Sequence, residues 1–278
     1  MSGYAVQPLL DTEAVSLYDV VCDGACRHKS GEECAHGAHL VFPYRGVFMH
    51  HLGGNRDAVA EPNQVMFFNG DEGFRVSHPV EGGDACLSLS LSPDMLAELA
   101  PKDQTRGGPE VAFEAQRRGI DPRAQAMVAL LRHSLTRGAI ETLEAETLSL
   151  TLVRRALGER TSHASAGSWG RTKLVDRAKL VLASDLGRRW TLAEIADDVG
   201  VSPVYLTQVF QQVEGVPVYR YQLRLRLARA LDLLDRYDHL TNLALDLGFS
   251  SHSHFSAAFK QHYDRTPAQF QRSVRARA

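Results

Sequence analysis

Long apolar runs are missing from this sequence. No stretch approaches the roughly 18 apolar residues of a membrane-spanning helix, which excludes a helical integral membrane protein. A charged start followed by an apolar segment is also missing: Met1-Ser-Gly-Tyr-Ala-Val-Gln-Pro8 has neither feature of a secretory signal, so a cytoplasmic location is expected. Cysteine is scarce, at four residues. In a reducing compartment these read as reduced core thiols, a metal site or a redox pair, not as a disulfide framework. Neither charge dominates, with 31 Lys and Arg against 33 Asp and Glu for a net −2, so there is no polybasic or polyacidic tail. Low-complexity tracts and Gly-rich phosphate-cradling loops are absent too.

What is present is ordinary globular material. The 278 residues suggest two domains at a prior of about 100 to 200 residues each, and 44% hydrophobic with 23% charged residues is enough for real cores. The near-zero net charge conceals a split. From Arg171 onward 16 Lys and Arg stand against 11 Asp and Glu, whereas before it 15 stand against 22. A basic C-terminal part beside an acidic N-terminal part assigns nucleic-acid contact to the former.

The stretch from Thr191 to Phe270 contains one device twice. In the first copy Leu192, Ile195, Ala196 and Val199 recur at helical spacing, Gly200 supplies a left-handed stop, and Ser202-Pro203 supplies an N-cap and first residue for a second helix. Leu206, Val209 and Phe210 face inward, which leaves Val204, Tyr205, Thr207 and Gln208 outward. Ile195, Ala196, Asp198, Gly200 and Ser202 find counterparts 48 positions later at Leu243, Ala244, Asp246, Gly248 and Ser250, while Phe210 and Phe259 are 49 apart, so one residue has been added in the second turn. Between the copies, Val218 to Asp235 has no breaker and predicts a helix of about 18 residues, roughly 27 Å long, a separation that suits two successive major-groove entries.

These residues resemble the AraC/XylS family of bacterial transcription regulators over roughly Lys173 to Arg272. The resemblance rests on Leu192-Ala-Glu-Ile-Ala196, Gly200-Val-Ser202, Leu206 to Phe210, Arg224-Leu-Arg226-Leu-Ala-Arg229, and above all Ala244 to Phe259 with the closing Thr266-Pro267-Ala-Gln-Phe270. It implies a transcription regulator, not an enzyme, whose partners are double-stranded promoter or operator DNA, a second copy of the chain, a small-molecule effector and, for an activator, RNA polymerase. By resemblance the DNA contacts are Val204, Tyr205, Thr207 and Gln208 in the first unit and His252, Ser253, His254 and Ser256 in the second, with Lys260 on phosphate. One departure matters. The first recognition helix has no Arg or Lys on this face, so the commonest bidentate guanine contact is missing there; Gln208 suits adenine and Thr207 a thymine methyl.

Upstream, from Ala14 to Leu91, short apolar runs closed by Gly, Asn, Asp or Pro predict strands near residues 14–21, 39–51, 58–61, 64–69, 73–78 and 85–91. The fold class is therefore α+β: an N-terminal β-barrel or jelly roll (residues 1–91), a helical segment with a dimerisation role (92–157), a polar linker (158–170) and an all-α domain of two helix-turn-helix units joined by a long helix (171–278). The order Val65 to Asn69, Asp71-Glu-Gly73, Phe74 to His78 resembles the cupin-like sensor half of the same family. A metal-dependent cupin enzyme needs a His-x-His pair, and here His50 and His51 are adjacent, so a strand would send them to opposite faces. His78, before Pro79, reads as a strand-end residue. In the helical segment, Ser92-Pro93 and Asp121-Pro122 open helices, Met127, Leu130, Leu131 and Leu135 recur at helical spacing, Glu141 to Leu157 forms another helix, and Pro101 to Pro109 reads as loop.

Between Cys22 and His39 lie three thiols and three imidazoles in a Gly-containing loop. Three readings stay open there. Cys22, Cys26 and Cys34, with His39 or Cys86 as fourth ligand, suit zinc, although the spacing is no standard finger. Arg27, His28 and Lys29 can lower a thiol pKa and make Cys26 or Cys34 oxidisable. Cys22 and Cys86 also fit as small core residues. The rival reading of the whole chain is a thiol- or metal-handling protein whose helical domain mediates protein contacts.

Overall fold

A computed structural model describes residues 3–25, 27–54, 56–70, 72–106, 111–158 and 169–275. Nine strands open the chain: β1 (Tyr4–Asp11), β2 (Val15–Cys22), β3 (Glu33–Cys34), β4 (His39–Arg45), β5 (Phe48–Leu52), β6 (Arg56–Ala60), β7 (Gln64–Phe68), β8 (Gly73–Ser77) and β9 (Asp84–Leu91). Helix α1 (Pro93–Leu99) and a 3-10 turn (Lys102–Gln104) lead to β10 (Thr105–Arg106), β11 (Ala112–Phe113) and β12 (Arg117–Gly119). Helices α2 (Pro122–Thr136) and α3 (Thr142–Leu157) follow, then α4 (Trp169–Ser184), α5 (Leu192–Val199), α6 (Pro203–Glu214), α7 (Val218–Leu233), α8 (Leu240–Asp246), α9 (His252–Tyr263) and α10 (Pro267–Arg275).

An antiparallel sheet in the order β1-β2-β9-β4-β7-β12 faces a four-stranded one in the order β3-β8-β5-β6. Alternation along the larger sheet explains the layering. Leu40 and Phe42 on β4, Val65 and Phe67 on β7, and Leu87 and Leu89 on β9 join a core shared with α2 and α3, while Val41, Met66, Phe68 and Cys86 on the other face meet Phe48, Ala58 and Ala60 of the smaller sheet. Both faces of the central strands are covered, which is why they read as continuous apolar runs.

The structure corrects the sequence reading in three places. The run from His39 to His51 is two strands, broken at Gly46, which holds φ +67° and lies so close to Gly83 that a Cβ would come 2.0 Å from its carbonyl oxygen. The β-rich part does not end at residue 91, because β12 pairs with β7 through Arg117↔Met66 and Arg118↔Val65. Two arginines hide that strand from an apolar pattern: Arg117 bonds the Val59 carbonyl at 2.9 Å and pairs with Asp176 at 2.8 Å, and Arg118 bonds Gln104 and the Leu157 carbonyl. β1 lies outside the expected strands, because its residues are mostly exposed at the sheet edge and give no apolar run. The linker assigned to 158–170 falls largely outside the described residues.

His50 sets a pH limit on this module. It is 1% exposed on β5, tilted against Phe68 with ring centroids 4.3 Å apart, accepts from Gln116 at 3.0 Å, and burial pushes its pKa down to about 4. A histidine kept neutral in the folded state but titrating near 6.5 when unfolded contributes stability that is full above pH 6.5 and is lost as pH falls from 6.5 to about 4. The loss is at most about 3 kcal/mol by the conversion of roughly 1.4 kcal/mol per pKa unit. Urea midpoints recorded across that window should fall more steeply for the unaltered chain than for His50→Gln. Parallel profiles would remove His50 from the account.

Candidate nucleic-acid interface and inter-sheet pocket

The two helix-turn-helix units are built by local chemistry that repeats. Thr191 caps α5 in a reciprocal box with Glu194, whose carboxyl is held down to about 2 by bonds from the Thr191 backbone and side chain and then by Arg188. Gly200 ends that helix at φ +75°, with the Val201 amide on the Ala196 carbonyl. Gly248, at φ +77°, ends α8 in the same way, with the Phe249 amide on the Ala244 carbonyl. The caps of the second helices are Ser202, accepting from the Tyr205 amide, and Ser251, accepting from the His254 amide. The inserted residue therefore lies between Gly248 and the cap, and the counterpart of Ser202 is Ser251, not Ser250.

Linker helix α7 runs 16 residues, about 24 Å at 1.5 Å per residue, and feeds both units. Val218, Tyr221 and Leu225 enter the first core with Leu206 and Phe210. Leu227, Ala230 and Leu231 enter the second with Phe255 and Phe259. From its middle, Arg226 donates to the carbonyls of Leu186 at 2.6 Å, Arg188 at 2.8 Å and Gly248 at 3.2 Å, so one guanidinium ties the approach to α5 to the turn of the second unit.

All nine candidate DNA-contacting residues lie on the outer faces of α6 and α9. Val204, Tyr205, Gln208, His252, Ser253, His254 and Lys260 are exposed, and Thr207 and Ser256 are half-buried. Two internal bonds order the second face: Ser250 with His254 at 3.2 Å and Ser256 with His252 at 3.3 Å. Val204 is 67% exposed on the outer face of α6.

The β-rich part packs on the helical domain through α2, with β4 against α7 and β6 against α4. Ala124, Val128 and Leu131 belong to the core under the large sheet, whereas Ala129, with Ala126 and Leu130, packs on the core of the second unit. Polar ties run alongside: Arg132 to Asp232 at 2.8 Å, Tyr263 to Gln125 at 3.1 Å, and Arg117 to Asp176. The expectation that both helices of this segment serve a dimer is therefore narrowed. Both faces of α2 carry contacts within the chain, whereas α3 keeps an outer face on which Leu143 is 75% exposed.

Between the sheets lies a pocket of ≈ 210 Å³ whose walls include Val41, Phe48, Phe68 and Phe74. Cys22, His78 and Asp84 stand together at one end, with a donor atom of each within 4.8 Å of the others, and Cys86 donates to Asp84 at 3.3 Å. Burial, then Asp84, pushes the Cys86 thiol well up. Among the described residues, the metal set read from sequence is spread apart. Cys34 is exposed, paired with Gly73 at the far end of β8 from His78. His39 pairs with Ser90, four residues beyond Cys86 on β9 and so about 13 Å away at 3.3 Å per residue, where burial lowers its pKa. Cys26 lies outside the described residues. His78 is the strand-end residue expected, just past β8, but its proximity to Asp84 at the start of β9 is set by the turn between them and is carried by no motif.

Comparison with known proteins bears on the helical domain. Residues 195–273 match a family model described as a helix-turn-helix domain. The transcriptional activator AggR of Escherichia coli is 33% identical over 96 residues, covering 34% of this chain and 36% of that protein. The transcriptional activator FapR of Escherichia coli is 25% identical over 233 residues, 80% of this chain and 88% of that protein. A solved AraC-type regulator structure from Chromobacterium violaceum aligns with 38% of this chain and 95% of its own at 30% identity, with a TM-score of 0.36. The chain thus spans about a third of AggR. The relatives are described as transcription regulators, not enzymes. No helix among the described residues is long and apolar enough to cross a membrane.

Proposed function

We propose that this chain, whose C-terminal part is an AraC-type helix-turn-helix domain, is a cytoplasmic sequence-specific regulator of transcription. It reads DNA with α6 and α9, and its N-terminal part acts as a cupin-like sensor. The observation that carries the reading is the pair of capped helices whose outward faces no other part of the described chain covers, held in one geometry by Arg226. Lys260 and the arginines around both units hold phosphates and set register, while base edges meet Val204, Tyr205, Thr207 and Gln208 in one groove and His252, Ser253, His254 and Ser256 in the next. The pocket between the sheets takes a small chemical signal, and α2, packed into both cores, carries the change by shifting the population of DNA-competent arrangements. The outer face of α3 supports pairing of two copies, and RNA polymerase is the further partner if the chain activates.

Binding to the DNA upstream of its own reading frame, compared with random duplex across salt concentrations, tests this. Gln208→Ala should cost about 1–3 kcal/mol on the specific site and relax preference at one base pair, whereas Lys260→Ala should weaken every duplex alike and lower the salt slope by about 1. Equal losses on specific and random DNA for Gln208→Ala would withdraw its base-reading role. Salt-independent, unselective binding would favour the rival protein-contact reading.

A further inference from the structure

We propose that Cys22, His78 and Asp84, with Cys86 beside them on the other carboxylate oxygen of Asp84 as the fourth ligand, form a binding site for a thiophilic divalent cation of the zinc type at one end of the inter-sheet pocket. The placement follows from register. Cys22 on β2 is paired directly with Asp84 on β9, and Cys86 is two residues further along β9, so the three side chains share the face turned toward the smaller sheet. His78 arrives from that smaller sheet, at the end of β8, and its Nε2 lies 2.5 Å from Asp84 Oδ1. Two glycines permit the closure. Gly24 and Gly83 hold φ +76° and +66°, and a Cβ on Gly83 would come 2.1 Å from the Cys22 carbonyl oxygen, so the β8–β9 turn can press against the end of β2 only without a side chain there.

Three donors of a tetrahedral site, from Cys22, His78 and Asp84, already stand together, and Cys86 must move toward them to supply the fourth. Metal–ligand lengths of about 2.0–2.3 Å put neighbouring donors roughly 3.3–3.8 Å apart. The Cys22, His78 and Asp84 donors lie within 4.8 Å of one another, the His78 bond to Asp84 Oδ1 must open by about 1 Å to admit the ion, and Cys86, 3.3 Å from the other carboxylate oxygen Oδ2, must turn from it toward the ion. Two sulfurs, an imidazole and one carboxylate select zinc-type ions over magnesium or calcium, which take oxygen ligands. His78 is 4% exposed and Asp84 5%, so a bound cation would be largely withdrawn from water, and its binding would release the thiol protons of the two cysteines. The site stands on its own geometry; only its use as the signal rests on the regulatory reading above.

Cobalt titration of the full-length reduced chain tests it. One Co²⁺ per chain with thiolate-to-cobalt charge-transfer absorption, displaced by Zn²⁺, is expected. Cys22→Ser and Asp84→Asn should each weaken binding at least about tenfold, and Cys34→Ser should leave it unchanged. No charge-transfer band in the unaltered chain, or undiminished binding in Cys22→Ser, overturns the site, as does loss confined to Cys34→Ser. Because the spectrum of the unaltered chain counts thiolate ligands directly, a variant that fails to fold does not shield the proposal. Cobalt is read without DNA, so a chain that binds metal and no DNA overturns the regulatory reading alone, and a chain that binds DNA and no metal overturns the site alone.

Discussion

Arg132→Met is expected to destabilise the chain by about 3 kcal/mol, the lower end of the 3–5 kcal/mol cost of removing one partner from a buried ion pair. Asp232 is 1% exposed and Arg132 7%, so neither charge has water to fall back on. Asp232 keeps a second partner, because Arg229 bonds its other carboxylate oxygen, and that residual pairing places the effect at the low end. Arg132 also lies 4.2 Å over the Tyr44 ring, so a methionine there retains packing while losing charge. Asp232→Leu should cost as much or more, since it strands two guanidiniums. The double variant should recover most of the loss, because a well-packed apolar pair avoids the desolvation that the ion pair must offset. Urea unfolding decides it, and strictly additive single-variant costs would show that the two residues do not act as a pair. Since Arg132 belongs to α2 and Asp232 to α7, the single variants should also separate unfolding of the β-rich part from that of the helical part into two transitions.

That coupling was the least legible part of the molecule. Spacing alone placed both helix-turn-helix units, because helix starts and stops are local events: a Ser or Thr oxygen within reach of an amide three residues on, and a glycine able to take positive φ. The apolar side of α2 was equally legible in Met127, Leu130, Leu131 and Leu135, yet periodicity cannot say that one part of that side belongs to the β-rich core and another to the helical one. The thiol cluster shows the same limit. Sequence proximity pointed to Cys26 and Cys34 as companions of Cys22, with His39 or Cys86 as a fourth, whereas register between β2 and β9 supplies Asp84 from more than sixty residues away and sets Cys86 two residues beyond it. Strand register is fixed by which faces are buried across the whole sheet, and no single stretch of sequence contains it.

Gly248 carries the largest effect expected within the helix-turn-helix domain, and Gly200 is its control. Both end the first helix of their unit at nearly the same positive φ, +77° and +75°, so an alanine at either pays the left-handed penalty of about 1–2 kcal/mol. Their surroundings differ. A Cβ at Gly200 meets nothing within 4 Å, whereas at Gly248 it would come 2.3 Å from the Gly187 carbonyl oxygen and 2.9 Å from the Arg226 guanidinium. Backbone must therefore shift at Gly248, and the shift disrupts the Arg226 bonds to Leu186, Arg188 and Gly248, each worth about 1.5–3 kcal/mol for a charged donor. Gly200→Ala should lower stability modestly and leave selectivity for the specific site intact. Gly248→Ala should cost at least about 3 kcal/mol, the left-handed penalty plus one charged hydrogen bond, and reduce specific affinity more than affinity for random duplex, because two recognition helices whose spacing is no longer fixed cannot meet two grooves at once. If both variants lost specific affinity equally, the tie through Arg226 would not set the geometry of the pair, and each unit would have to read its half of the site alone.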